Sequence, residues 1–311
     1  MSTVSKSNIP VILLFGPTAV GKTGLIQRVF QEGFEIVNAD SQQVYRYLQI
    51  GTAKPSADIL ERIPHHLIDF LSPKMQFNVA SFVREADRAI VNIRRRGKVP
   101  VISGGTGYYL YHFLYGIPPA PKSDDTMREH LINRLKTAGR DSLWNELMQV
   151  DPVSAENLHP NDTQRILRAL EVYHASGRPL SDYKINTTPR TKYRFLTIGL
   201  SRSREELYRR IDRRVEEMWR AGLRNEFSRL LEMGFCESDP GMRGIGYREF
   251  FLMRKSGEYT LSGVKEEIKK NSRRYAKRQI TFFKRVPGTI WLHPEQEQEL
   301  RRRISEFLYL I

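Results

Sequence analysis

The run Gly16-Pro-Thr-Ala-Val-Gly-Lys-Thr23 restricts this chain more than any other feature, because it fits G-x-x-x-x-G-K-[ST] at every fixed position. It follows the apolar stretch Pro10-Val-Ile-Leu-Leu-Phe15, and residues 23–30 after it read as a helix. A short apolar run that stops at Gly-Pro predicts a buried strand entering a tight loop. In that setting the glycines let backbone N–H groups converge on a phosphate chain, and the helix N-terminus adds partial positive charge. Lys22 would hold the terminal phosphate oxygens, and the Thr23 hydroxyl would ligate Mg2+. The candidate diphosphate cradle is therefore Gly16, Pro17, Thr18, Ala19, Val20, Gly21, Lys22 and Thr23. Such a loop is nucleotide-binding in form, ATP included, yet it specifies only a diphosphate or triphosphate.

The pattern around the loop repeats. Residues 34–39 read as a second strand ending at Asp40. Residues 79–96 place Val79, Phe82, Val83, Ala86, Ile90 and Ile93 on one face of a helix. Residues 99–103 read as a strand ending in Gly104-Gly105-Thr106. Strands alternating with helices predict an α/β fold, a parallel sheet with helices on both faces and ligands at the carboxyl ends of its strands. The cradle, Asp40 and residues 104–106 can converge there. By position alone, Asp40 is a helix N-cap, a Mg2+-side carboxylate or a general base. Gly104-Gly105-Thr106 is a tight turn or a contact to a polar substrate. After the stiff connector Ile117-Pro-Pro-Ala-Pro121 the pattern turns helical from Ser123 to Ser176, with breaks near Gly139, Pro152 and Pro160. A strand-like run returns at 195–200. The reading is a core of residues 1–122 and 191–311 with an inserted all-helical domain at 123–190. Further helices are expected at 204–221, 225–233, 247–255 and 265–285, then a strand at 290–293 and a last helix.

Charge sharpens the reading. Fifty Lys and Arg against 35 Asp and Glu leave a net +15. Residues 190–311 carry +11 of it and the remainder +4. A field of that sign attracts phosphorylated partners, nucleic acid among them. In the run 269–285, Lys269, Arg273 and Lys277 recur every four residues, as do Lys270, Arg274 and Arg278. This predicts a broad cationic helix face suited to a phosphate backbone, with Tyr275, Phe282 and Phe283 as apolar anchors. Arg209, Arg210, Arg213 and Arg214 form a second cluster. His65-His66 with Asp69 does not make a metal site. The single cysteine, Cys236, excludes an internal disulfide and disfavours Cys-based zinc. No apolar run approaches the ~20 residues of a membrane span. Lys6 followed by the short run 11–15 does not form a secretion signal. A cytoplasmic monomer with no membrane association is expected.

Taken in order, several segments resemble the bacterial tRNA dimethylallyltransferases, also called tRNA isopentenyltransferases, over nearly the whole chain. They are the cradle, Asp40-Ser-Gln-Gln-Val-Tyr45, Ile50-Gly-Thr-Ala-Lys-Pro55, Pro64-His-His-Leu-Ile-Asp69 and Gly104-Gly-Thr106. The resemblance continues through Asp151-Pro152, His159-Pro-Asn-Asp162, Gln164-Arg165, Arg168, Ala169-Leu-Glu171, Gly244-Ile-Gly-Tyr-Arg248 and Ala276-Lys-Arg-Gln279. The Cys/His zinc finger frequent in eukaryotic members has no counterpart here. The resemblance implies a P-loop NTPase-like core. It also implies transfer of a dimethylallyl group from dimethylallyl diphosphate to N6 of adenosine 37, beside the tRNA anticodon, with diphosphate released and Mg2+ as cofactor. It makes Asp40 the base, Thr106 a contact to the target nucleotide, and an arginine of the 210–214 helix, Arg214, a partner of the leaving group, alongside Lys22. It places tRNA contacts at Asp40, Ser41, Gln42, Gln43, Thr106, Arg128, Gln164, Arg165, Ile166, Leu167, Arg168, Arg243, Gly244, Ile245, Gly246, Tyr247 and Arg248. The helical insertion would close over the anticodon stem-loop, and the target base would flip out of its stack. Val20 replaces a serine frequent in the family and would sit beside the prenyl tail. Two rivals are a P-loop kinase for a small molecule or nucleotide, and an RNA-binding module with a relict loop.

Overall fold

The computed structural model describes residues 8–122, 124–184, 186–257 and 259–309. Lys6 and Ser123 lie outside the described residues. The first strand, β1 (Ile9–Phe15), is buried from Val11 onward to 1% exposure or less. Burial on both faces is why it reads as a continuous apolar run rather than an alternating one. It feeds α1 (Lys22–Val29) through Gly21, whose φ of 111° lies in the left-handed region that glycine adopts without a Cβ clash. Then come β2 (Phe34–Asn38), α2 (Ala57–Arg62), the two-residue β3 (His65–His66), α3 (Val79–Arg95), β4 (Val99–Gly104) and α4 (Gly107–Tyr115). Three helices follow: α5 (Asp125–Val150), α6 (Pro152–Asn157) and α7 (Thr163–Ser176). The chain ends with β5 (Tyr193–Leu200), α8 (Arg204–Arg220), α9 (Leu223–Glu232), α10 (Arg248–Lys255), α11 (Leu261–Phe283), β6 (Ile290–Leu292) and α12 (Glu297–Tyr309).

The six strands form one all-parallel sheet in the order β3-β2-β4-β1-β5-β6. Phe15 pairs with Gly104 and with Gly199, and Asn38 with Ser103, so the carboxyl ends of the central strands finish level. Ile12 and Leu14 pack with Leu25, Ile26, Leu207, Ile211, Leu300 and Ile304 from α1, α8 and α12. The alternate side chains reach the other face, where Phe15 stacks on Phe283 with ring centroids 4.7 Å apart. Each such fully buried side chain stabilises the fold by roughly 1.5–3 kcal/mol. The α/β architecture expected from the strand and helix spacing is the one observed.

Three elements were not anticipated. α4 is built from Gly107-Tyr-Tyr-Leu-Tyr-His-Phe-Leu-Tyr115, a composition that favours strands until tertiary packing overrides it. There Tyr109 stacks on Phe82 of α3 at 4.7 Å. α2 has no buried side chain and so no apolar stripe to reveal it. β3 is the pair His65-His66, where Glu35 of β2 meets the His66 ring at 2.7 Å.

The chain divides into two compact units, one ending at Leu114 and resuming at Arg190, the other Tyr115–Pro189. In the first unit, Asp87 on α3 accepts from both terminal nitrogens of Arg190, at 3.0 and 2.6 Å, and from the Tyr193 hydroxyl at 2.6 Å. In the second, Leu131, Leu143, Leu147, Ile166, Leu167 and Leu170 form a separate core. Gly139, with φ 77° and ψ 176°, kinks α5 where a break was expected.

Candidate active site

At the carboxyl edge of the sheet, wholly within the first unit, lies a cavity of about 600 Å³. Thr18, Ala19, Gly21, Lys22 and Thr23 line one side of it. Asp40 to Gln43, Gly51 to Ala53, Gly105, Arg243 to Ile245 and Arg248 line the rest, with arginines of α8 and residues of α11. The junction of β2 and β4 needs glycine at 104: a Cβ there would stand 2.1 Å from the Ala39 carbonyl oxygen. That close approach brings the Asp40 turn beside Gly105.

Within the loop, Ala19 adopts φ 61°. The Lys22 ammonium donates to the carbonyls of Gly16 (2.8 Å) and Pro17 (3.0 Å). Desolvation lowers the Lys22 pKa to about 8; Asp40 opposes this and Arg214 adds to it. Arg202 Nε holds the Val20 carbonyl and Arg210 Nε the Ala19 carbonyl, both at 2.8 Å. Arg214 donates to the Thr18 hydroxyl at 3.2 Å and to Thr52 O at 3.5 Å. Arg213 also lines the cavity, while Arg209 sits outside and pairs with Glu205 at 3.0 Å.

The structure removes one reading of Asp40. No helix follows it; residues 41–44 form turns. Its Oδ1 accepts from the amides of Gln42 (2.9 Å) and Gln43 (3.3 Å), an Asx-type turn, not a helix cap. Its Oδ2 has no hydrogen-bond partner among the described residues. Burial first and the charge of Asp40 second hold the Tyr275 hydroxyl well above its ordinary pKa.

Several expected contacts fall elsewhere. Thr106 does not line the cavity; its Oγ1 accepts from the Ser41 amide at 2.9 Å and so shapes the Asp40 turn from behind. Val20 is fully buried in the core against the sheet, not at the cavity wall. Gly16 and Pro17 contribute carbonyls to Lys22 rather than wall. Tyr247 is fully buried, and Gly246, with φ 105°, lies against Gly51. In the second unit, Ile166 and Leu167 are core residues, 0% and 1% exposed. There Arg128 pairs with Glu171 (2.5 Å) and Gln164 (2.7 Å), Arg168 reaches Glu171 at 3.5 Å, and Arg165 is exposed.

The broad cationic face of α11 is also narrower than its spacing suggests. Lys269 pairs with Glu216 and Glu266 at 2.7 Å, Arg273 with Asp212 at 2.5 Å, and Lys270 with Glu267 at 2.6 Å. Arg274, Lys277 and Arg278 remain exposed, with no carboxylate partner among the described residues. Phe283 is core and Phe282 packs edge-on against Tyr111 at 5.9 Å, so neither is an exposed anchor.

Two organising residues escaped the sequence reading. Glu226 is 3% exposed, and its carboxylate accepts from the amides of Gln49, Ile50 and Gly51 and from the Tyr247 hydroxyl at 2.6 Å. It ties residues 49–51, which lead into the Gly51–Ala53 wall, to the segment carrying Arg243 and Arg248. Gln279 is 4% exposed; its Oε1 accepts from the Thr18 amide at 2.8 Å and its Nε2 donates to Gly105 O at 2.7 Å. It sets the distance between the cradle and the turn after β4. Gln279 belongs to the segment Ala276-Lys-Arg-Gln279 that carries part of the resemblance, but nothing in the sequence assigned it a role.

A glycine-containing loop flanked by arginines, at the edge of a parallel sheet and sharing one cavity with Asp40, has the form of a P-loop fold. The comparisons with known proteins give the family. The family model described as IPP transferase matches residues 43–286. A tRNA dimethylallyltransferase 2 of Geotalea uraniireducens is 43% identical over 97% of this chain and 98% of its own length. A tRNA dimethylallyltransferase of Geobacter metallireducens is 44% identical over 91% and 92%. Among solved structures, the full-length tRNA isopentenylpyrophosphate transferase of Bacillus halodurans superposes with a TM-score of 0.68 at 34% identity, covering 96% of this chain and 97% of that one. A eukaryotic dimethylallyltransferase acting on tRNA gives 0.71 at 31% identity, over 88% and 69%. The chain belongs to the IPP transferase family.

Proposed function

We propose that this protein is a tRNA dimethylallyltransferase that moves the dimethylallyl group of dimethylallyl diphosphate to N6 of adenosine 37, next to the anticodon. The observation that carries the reading is the convergence of Lys22, Arg214 and Asp40 on one cavity. Cations suited to a leaving diphosphate stand on one side of it and a carboxylate with a free oxygen on the other. In the reaction the N6 lone pair forms a bond to C1 of the dimethylallyl group while the C1–O bond breaks and diphosphate departs with the electron pair. The adenine amino group is a weak nucleophile, and Asp40 Oδ2 takes the proton it loses, an effect worth roughly 10²–10⁴-fold. Lys22, Arg210 and Arg214 balance the charge that develops on the leaving group. Gln42 lines the cavity beside Asp40.

Mg2+ fits this site as a substrate-borne ion. The Thr23 hydroxyl is exposed, and no group of three metal-ligating side chains exists among the described residues. Thr23 with diphosphate oxygens and water suits an ion that keeps much of its hydration. Bound there, Mg2+ supplies charge neutralisation to the diphosphate. The tRNA is held through Ser41 to Gln43, Arg243 to Ile245, Arg248 and the exposed cations of α11 in the first unit, and through Arg128, Gln164, Arg165 and Arg168 in the second. The protein acts in the cytoplasm as a monomer. The test is incubation with unmodified tRNA, Mg2+ and dimethylallyl diphosphate labelled in the prenyl carbon. Label in tRNA, lost when adenosine 37 is replaced, supports the reading. ATP turnover with a small acceptor and no label in RNA would replace it with the kinase.

A further inference from the structure

Four residues before Gly51 of the cavity wall, the structure holds an aromatic residue where backbone geometry disfavours one. Tyr47 adopts φ 70°, in the left-handed region, and its side chain is 49% exposed. Such a conformation is strained for a bulky residue, and strain of this kind persists where the surroundings impose it. The Tyr47 ring lies 6.1 Å from Phe235 with 33° between planes, leaving its outer face open. Lys74 places its ammonium 5.8 Å from the Phe235 ring centre. Arg46 and Lys74 are exposed and have no carboxylate partner among the described residues. Next to Lys74, the Pro73 carbonyl accepts from the Gly241 amide at 2.9 Å, and Arg243, two residues further on, lines the cavity. The Lys74 side of the patch therefore borders the segment that carries Arg243 into the cavity wall.

We infer that Tyr47, backed by Phe235 and flanked by Arg46 and Lys74, is a stacking platform for one unpaired base of the RNA loop whose neighbouring base enters the cavity. Three features point to RNA as the occupant. An open aromatic face accepts any base through its π-surface. Two unneutralised cations beside it match the phosphates that flank an unpaired base. The net +15 of the chain attracts the same polyanion. A core role would not need the ring half exposed, and glycine would meet the backbone demand without strain. The inference rests on the reading of the protein as a tRNA prenyltransferase and adds a subsite to it.

Tyr47→Gly separates the two roles, because it removes the ring and relieves the backbone together. Tyr47→Asn, which also tolerates this region, serves as a second variant. Binding of an anticodon stem-loop RNA is measured by fluorescence anisotropy, alongside dimethylallyl diphosphate affinity and a thermal melt. Base–aromatic stacking has a magnitude that predicts roughly 5- to 150-fold weaker RNA binding for Tyr47→Gly and Tyr47→Asn. Tyr47→Phe should stay within about twofold of the parent, donor affinity should not change, and Tyr47→Gly should melt no lower than the parent. Stem-loops carrying single abasic sites then identify the stacked base: one of them should weaken binding to the parent yet leave Tyr47→Gly unaffected. Parental RNA affinity in Tyr47→Gly, or equal losses for every abasic RNA in parent and variant, overturns the platform. Failure of the underlying reading looks different, since the parent itself would then put no label into tRNA.

Discussion

Asp40 and Lys22 face each other across the cavity with opposite demands on protons. Asparagine in place of Asp40 keeps the size and the turn, since its side-chain oxygen can still accept from the Gln42 and Gln43 amides, but it takes up a proton poorly. Asp40→Asn should melt like the parent and bind tRNA normally while single-turnover transfer slows about 10²-fold or more. Transfer at the parental rate would remove the base assignment. For Lys22 the sign follows from its lowered pKa of about 8. The free protein loses that proton as pH rises through 8, whereas a bound diphosphate favours the charged form. Donor binding therefore takes up a proton above pH 8. Affinity should be flat below pH 8 and fall by up to tenfold per pH unit above it. Lys22→Met should bind donor weakly with that pH limb gone, as calorimetric titration between pH 7 and 9.5 would show. The cradle was legible because its glycines, lysine and threonine are adjacent in sequence. Glu226 was not, because its partners, Gln49 to Gly51 and Tyr247, lie in distant segments and nothing local marks a buried carboxylate.

Elements show a similar division. The helix at α11 could be read from its own spacing, yet its charge could not. Glu216 and Asp212, which pair with Lys269 and Arg273, belong to α8, some fifty to sixty positions earlier, and Glu266, the second partner of Lys269, stands just before the run, so the run looked uncompensated when read alone. The structure splits the helix into a stripe buried in ion pairs and a stripe open to solvent. A salt titration of tRNA affinity distinguishes them. Neutralising Arg274 and Lys277 together should reduce the slope of log affinity against log salt by about 0.7–0.9 per residue. Neutralising Lys269 should leave that slope nearly unchanged. Equal slopes for all variants would exclude α11 from the phosphate interface. The strands were legible for the opposite reason: burial on both faces writes an unbroken apolar run into each, whereas the helical state of α4 depends on the packing of its Tyr109 and Phe113 against Phe82 of α3.

Among the described residues, each of the two units has an apolar cluster of its own. Leu167, expected at the RNA surface, is instead 1% exposed within the smaller of them. Leu167→Ala should cost about 2–5 kcal/mol. Hydrogen exchange should show that loss within Tyr115–Pro189, with the amides of β1 and β4 as protected as before. Uniform loss of protection across both units would mean that they unfold as one. The parallel sheet carries a consequence for synthesis. Ile9 pairs with Tyr193 and Phe15 with Gly199, so the central strand gains one of its two neighbours only after nearly two hundred residues have been made. Until then a ribosome-bound chain holds an apolar strand with one unsatisfied edge, the kind that seeks other chains. The seven-helix stretch from α1 to α7 emerges during that wait, and its local contacts can form first. The nascent chain therefore meets its greatest aggregation hazard midway through translation, and release of β5 from the exit tunnel is the event that ends it.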